Sequence, residues 1–268
     1  MAAELTQNGI RLGLFLAGLF TLLSWELTSP HHAPTAPRFR RWTVNLSFAA
    51  LNGVVVAALC AVCYELAAAG AAPWGYGPLE QLGLPVLIRL PVEVVMLDLV
   101  VYALHRGYHA IPALWRFHQV HHSDPDLDVT SASRFHLGEV LVSAVAKLAL
   151  VLMLGISALG LVSFEILLLL AAQFQHANVV VRPGLERLLW WTFVPPAMHR
   201  IHHHPVQEEM DSNFGTLLTL WDRLFGTMRS DCTDEGRFGL PEGERGAASR
   251  LTSLLSMPFR QAPGRDRP

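Results

Sequence analysis

Residues 98–122 read DLVVYALHRGYHAIPALWRFHQVHH, an apolar stretch that runs into five histidines spaced three and four residues apart. On a helix such spacings share a face. His105 and His109 therefore point together, as do His118, His121 and His122, and Asp98 and Tyr102 continue the first stripe one and two turns earlier. That is where a carboxylate must sit to hold an imidazole N–H and fix its tautomer. The H-x-x-H-H pattern recurs downstream as His199, His202 and His203, followed by His204. Eight imidazoles gathered on one side would be costly if buried, neutral and unpaired, and mutually repulsive if protonated, so the pattern points to metal. A structural zinc takes four ligands and a catalytic zinc three; eight are too many for one ion and imply two. Imidazole suits iron, zinc, copper and nickel alike, and spacing does not choose among them. The H-E-x-x-H of a zinc protease is absent, and haem pairs would need only two opposed histidines each.

Working outward, composition sets the class. The 268 residues are 51% hydrophobic and only 16% charged, with mean hydropathy +0.33, whereas soluble domains carry about 25% charged residues. The chain reads as an all-α integral membrane bundle with a histidine-rich helical cap holding a dimetal site. A net charge of -2 leaves no basic excess for a phosphate backbone, so nucleic acid is not an expected partner. Three cysteines make no disulfide framework; Cys60 and Cys63 lie inside an apolar run and read as packing residues.

Five segments have the length and apolarity of spans, at roughly 9–27, 44–69, 84–104, 138–156 and 159–177. The first reads as a retained helix rather than a signal peptide, having no basic leader apart from Arg11 and no small-residue cleavage site. The third is the least clean, containing Arg89, Pro91, Glu93 and Asp98, and an acid within a span is a functional hypothesis by default. Arg38, Arg40 and Arg41 put the loop after the first span in the cytoplasm. Counting crossings from there, residues 70–83 face outward, while Arg106, Arg116, Arg134 and everything from Arg182 onward return to the cytoplasm, with all the histidine clusters. The expected division is 1–83, N-terminal membrane helices and loops; 84–230, the catalytic region; and 231–268, a polar, poorly ordered tail in which LTSLLSMPF at 251–259 could form a short amphipathic helix.

Two more histidines sit level with the clusters. His176, at the end of the fifth span, reads as a further ligand; His136, opening the fourth, is open between ligand, ligand-orienting residue and channel wall. His204 reads as a neighbour of the cluster, and His31 and His32 as loop residues without a metal pattern.

At these residues the sequence resembles the fatty acid hydroxylase and sterol desaturase superfamily of integral membrane di-iron oxidases, nearest its bacterial sterol-desaturase-like branch. The resemblance covers roughly residues 90–230 and rests on D-x-x-x-Y-x-x-H-R-x-x-H at 98–109, WRFHQVHHS at 115–123, RFHxGE at 134–139, FQHAN at 174–178, MHRIHH at 198–203 and the stretch from Asn213 to Thr227 that contains WDRLFGT. It implies that His105, His109, His118, His121, His122, His199, His202 and His203 bind two irons, with His176 an additional ligand and no catalytic side chain beyond the metal ligands. It implies that Asp98 orients the first pair, that Asp211 and Asn213 shape the site, and that Trp221 and Asp222 are structural. Leu137 stands where many relatives carry proline, which bears on His136. Glu139, with Asp98 and Asp211, is expected to moderate the charge of the metals. The implied chemistry is dioxygen-dependent hydroxylation or desaturation of a membrane lipid entering from the bilayer. Electrons would come from a separate cytoplasmic donor, since no flavin, haem or ferredoxin motif is visible, and the implied location is the bacterial inner membrane. The competing readings are a membrane zinc-binding or transport protein, which would distribute ligands along a path, and a family member that is idle or non-oxidative.

Overall fold

Every long apolar run in the sequence folds as a helix, because in a bilayer only internal hydrogen bonding satisfies the backbone. The computed structural model describes residues 2–68, 77–234, 236–241 and 250–260; the side chains of Cys60 and Cys63, the outward reading of residues 70–76 and the terminal QAPGRDRP lie outside the described residues. In chain order the helices are α1 (Ala2–Thr28), α2 (Arg38–Ala68), α3 (Pro78–Gln81), α4 (Val86–Ala110), α5 (Pro112–His122), α6 (Leu137–Leu154), α7 (Ala158–His176), α8 (Pro183–Thr192), α9 (Pro196–His202), α10 (Gln207–Met210), α11 (Leu220–Leu224) and α12 (Leu251–Ser256). Among the described residues there are no strands, only isolated bridges of Pro30 with Val179 and Phe193 with Leu218.

Four helical segments are long and apolar enough to cross a membrane, Gly9–Thr28, Arg38–Leu59, Leu137–Leu154 and Ala158–His176. Phe20, Val54, Val145 and Met153 lie exposed on their outer faces. The third expected span, α4, differs. It is a continuous helix through Pro91, and its buried face carries Glu93, Asp98, Tyr102, His105 and His109. Its two acids are satisfied by protein: Glu93 accepts from Arg89 and from the backbone N–H and hydroxyl of Ser157, and Asp98 from the loop of residues 216–221. The Glu93 carboxylate sits so close to Gly160 that a Cβ there would come within 2.1 Å of Oε2. α4 is therefore the axle of the bundle, packed on α7, α5 and α6.

The cap is fastened to the spans by buried ion pairs. Arg41 on α2 donates to Asp128 Oδ2 and to the Asp126 carbonyl, both at 2.6 Å, and also holds Asp124. Arg134 bridges the Val120 carbonyl, Asn45 and Ser123. Arg41 and Arg134, counted among the basic loops in the sequence, are thus buried structural cations rather than surface charges. The polar tail is also partly core. Residues 251–259 form α12 and a 3-10 turn, the short helix expected of that stretch, and Leu240, Leu254 and Met257 pack with Trp115, Val44 and Phe48.

Candidate metal centre

Nine of the histidines converge where α4, α5, α7 and α9 meet, and they sort into two groups: His105, His109, His118, His122 and His202, and His121, His176, His199 and His203. All nine are buried. Within each group one ring nitrogen per residue lies within 4.8 Å of the others. The grouping corrects the expectation that each H-x-x-H-H triplet points together. At about 100° per residue, positions i and i+4 flank the helix face on one side and i+3 on the other. His118 and His122 accordingly join the first group and His121 the second, while on α9 His199 and His203 join the second and His202 the first.

The far nitrogens explain how the rings are held. Nδ1 of His105 donates to the Phe214 carbonyl at 2.9 Å, His109 to Asp211 at 3.1 Å, His118 to Glu139 at 2.7 Å, His202 to the Ser212 carbonyl at 2.7 Å, and His176 pairs with the Ser131 hydroxyl at 2.9 Å. Each such bond fixes a tautomer that leaves Nε2 as a lone pair, the usual device for orienting metal-binding imidazoles. Burial also keeps the rings neutral. It lowers the pKa of His202 from the usual 6.5 to about 3 and pulls His121, His122, His199 and His203 well below 6.5, with neighbouring imidazoles adding to the effect. Nε2 of His105, His202 and His203 is buried without a hydrogen-bond partner. Orphaned buried acceptors of this kind are costly, and a cation removes the cost; the donor set fits metal.

Of the residues expected to assist, Glu139 and Asp211 touch histidines of the first group, as described. Asp98 does not. It accepts from Thr216, from the backbone of Leu217 and Leu218, and from Trp221, so it shapes the loop that presents Phe214 rather than holding an imidazole itself. Asn213 likewise touches no ring. It bonds Met198 and Arg229 and adopts φ +54°, the left-handed region that asparagine tolerates; Ser212 and Phe214, on either side of it, both aim carbonyls at imidazoles of the first group. His136 is outside both groups. Its Nδ1 accepts from the Gly138 N–H, capping α6, and its Nε2–H donates to the Leu255 carbonyl at 3.1 Å, so both nitrogens are used. His204 pairs with Glu209 at 2.8 Å, and His31 and His32 lie outside the clusters.

Sequence reasoning missed Ser131, Phe214 and Ser212. Two of these act through carbonyls, which carry no side-chain signal. Tyr108 and Phe135 were missed as well; they stack on His118 and His121 at ring distances of 5.3 and 4.3 Å. Beside the histidines opens an apolar cavity of about 850 Å³ between α1, α2, α6 and α7, reached by His105, His118, His121, His176 and His199.

The chain is also similar to known proteins. The family model described as fatty acid hydroxylase matches residues 90–227, more than half of the chain. Ornithine lipid hydroxylase OlsE of Rhizobium tropici is 31% identical over 179 residues, covering 65% of this chain and 51% of that protein. Human alkylglycerol monooxygenase is 31% identical over 133 residues, 48% of this chain and 28% of that protein. Rat cholesterol 25-hydroxylase is 28% identical over 155 residues, 56% and 49% respectively. The chain thus spans about half the length, or less, of these relatives. No solved structure matches the chain.

Proposed function

The chain belongs to the fatty acid hydroxylase family, and on that premise we propose that it is a membrane oxidoreductase that uses two irons and dioxygen to hydroxylate a C–H bond of a lipid. The observation that carries the reading is the pair of histidine groups opening on an apolar cavity. Relatives named as an ornithine lipid hydroxylase, an alkylglycerol monooxygenase and a cholesterol 25-hydroxylase support hydroxylation over desaturation.

The number of rings bears on the choice of metal: the first group gathers five imidazoles, more than the three or four protein ligands that zinc takes. Bound there, two irons would supply dioxygen activation and hydrogen abstraction from an unactivated C–H bond. The rest falls to the chain. Glu139, Asp211, Ser131 and the 212 and 214 carbonyls hold the rings, Tyr108 and Phe135 wall them, and the apolar cavity excludes water and positions the chain to be oxidised.

Exposed Arg40, Arg106, Arg116, Arg182 and Arg187 support a cytoplasmic face for the histidine end, where a separate electron donor would dock. The test is the metal content of detergent-purified protein expressed with added iron, with Mössbauer spectra before and after reduction and exposure to oxygen in the presence of lipid. About two irons per chain that oxidise with oxygen and yield a hydroxylated lipid are expected; tightly held zinc with no oxygen reactivity would overturn the reading.

A further inference from the structure

The cavity has a second polar end that the metal chemistry does not use. Within the spans, Glu165 on α7 pairs with Lys147 on α6, and its other oxygen accepts from Arg11 on α1 at 3.1 Å. All three line the same cavity as the histidines, and all three are largely shielded from solvent. Helix packing alone does not call for this. An ionisable group inside a span is expensive and marks a pathway for substrate or ion, and here two cationic side chains converge on one carboxylate. Lys147 offers three N–H donors, of which Glu165 takes one.

The distances along the helices give the cluster a meaning. Lys147 lies eight residues beyond Glu139, the partner of His118, and Glu165 lies eleven residues before His176. At 1.5 Å per residue the cluster stands about 12 to 16 Å from the histidine centre. The rest of the lining is mostly apolar, with Leu46, Val56, Val140, Leu161 and Leu168 among it and Asn52 and Ser143 as polar exceptions. An extended hydrocarbon chain with carbon–carbon bonds of about 1.5 Å covers that span with roughly ten to thirteen carbons.

We propose that Lys147, Arg11 and Glu165 form the anchor for an acidic terminus of the substrate, so that the cavity selects an amphiphile with one acid group and sets which carbon meets the histidine centre. The substrate binds with its acid end deep in the bundle, on Lys147 and Arg11, and its chain running back to the metals. Glu165 holds the two cations in place and repels a second negative charge. Lys147 and Arg11 are specificity-determining residues in this scheme. The purpose assigned to the cavity rests on the lipid-hydroxylase reading; the selectivity of binding does not.

The test is equilibrium binding of palmitate, methyl palmitate and hexadecanol to the purified full chain under nitrogen without reductant, for the wild type, Lys147→Met and Lys147→Arg. A buried charge-assisted hydrogen bond corresponds to about ten- to hundredfold in affinity. Palmitate is therefore expected to bind wild type and Lys147→Arg tighter than the ester and the alcohol by that factor, and Lys147→Met is expected to erase the preference by weakening palmitate more than the neutral ligands. Equal binding of the three ligands by the wild type overturns the proposal without any variant, as does a Lys147→Met protein that weakens all three alike. A protein that prefers palmitate but consumes no oxygen with it overturns only the hydroxylase reading, and one that hydroxylates lipid without the acid preference overturns only the anchor.

Discussion

Trp221 donates its indole N–H to Asp98 Oδ2 at 2.7 Å, joining two residues 123 positions apart in the chain. The same carboxylate collects the backbone N–H groups of Leu217 and Leu218 and the Thr216 hydroxyl. Asp222, one residue on from Trp221, turns back to accept from the N–H groups of Phe214 and Gly215. The loop between is thereby pinned at both ends, and the Phe214 carbonyl is delivered to His105.

Asp98→Ala should act through folding before it acts on metal. Leaving four donors without their anion is expected to cost about 3 kcal/mol or more. The measurement is the melting temperature together with metal per folded chain: a large drop in the first with near wild-type loading in the fraction that survives is expected. Lost metal at unchanged melting temperature would place Asp98 back on a ligand.

His136→Ala and His176→Ala separate two histidines that look alike in sequence. Loss of the α6 cap should cost about 1 kcal/mol and leave the metal content intact. His176→Ala should lower it, emptying the second group while the first remains loaded. Elemental analysis of both purified variants decides, and equal metal loss in the two would contradict the assignment.

The carboxylate behind His118 is expected to tune affinity rather than create it. Glu139→Ala should weaken metal binding at the first group by about ten- to hundredfold, and Ser131→Ala should do the same, less strongly, at the second. Competition with a chelator followed over time reads both, and a Glu139→Ala protein that holds both ions as wild type does would refute the role.

Acid should unfold the metal-stripped protein early. The folded-state pKa of His202 is lowered to about 3 by burial, and those of His121, His122, His199 and His203 are lowered well below 6.5. The unfolded chain therefore takes up more protons than the folded one once pH falls beneath about 6.5, and stability present above that value is lost as pH falls toward the folded-state values. The melting temperature is expected to be level above about pH 7 and to drop steadily from about 6.5 to 5, and bound metal should push the drop to lower pH because it competes with protons for the same lone pairs. A stripped protein whose melting temperature ignores pH across that window would show that the rings are not buried neutral.

Much of this was legible because helical spacing and apolarity are local properties. All nine histidines read as ligands fall into the two groups, and the apolar runs fall on helices. What the sequence hid was long-range. The division of each triplet between groups depends on how α5 and α9 face one another; the bond from Ser131 to His176 depends on a 3-10 turn of residues 129–133 laid against α7. Asp98 shares the stripe of His105 and His109, yet its donors come from residues 216–221, beyond the reach of any periodicity argument. His136 looked level with the clusters, but the start of α6 claimed its Nδ1.

The crossing of the triplets also sets an order of assembly. His105, His109, His118 and His122 have all been synthesised once the ribosome has passed residue 122, so the first group needs only His202 to be complete. The second holds a single ligand, His121, until His176, His199 and His203 emerge. On the two-metal reading, a growing chain could capture its first ion as an early folding nucleus, while the second must wait until α9 docks. A chain that stalls short of α9 keeps four of the five histidines of the first group but only His121 and His176 of the second.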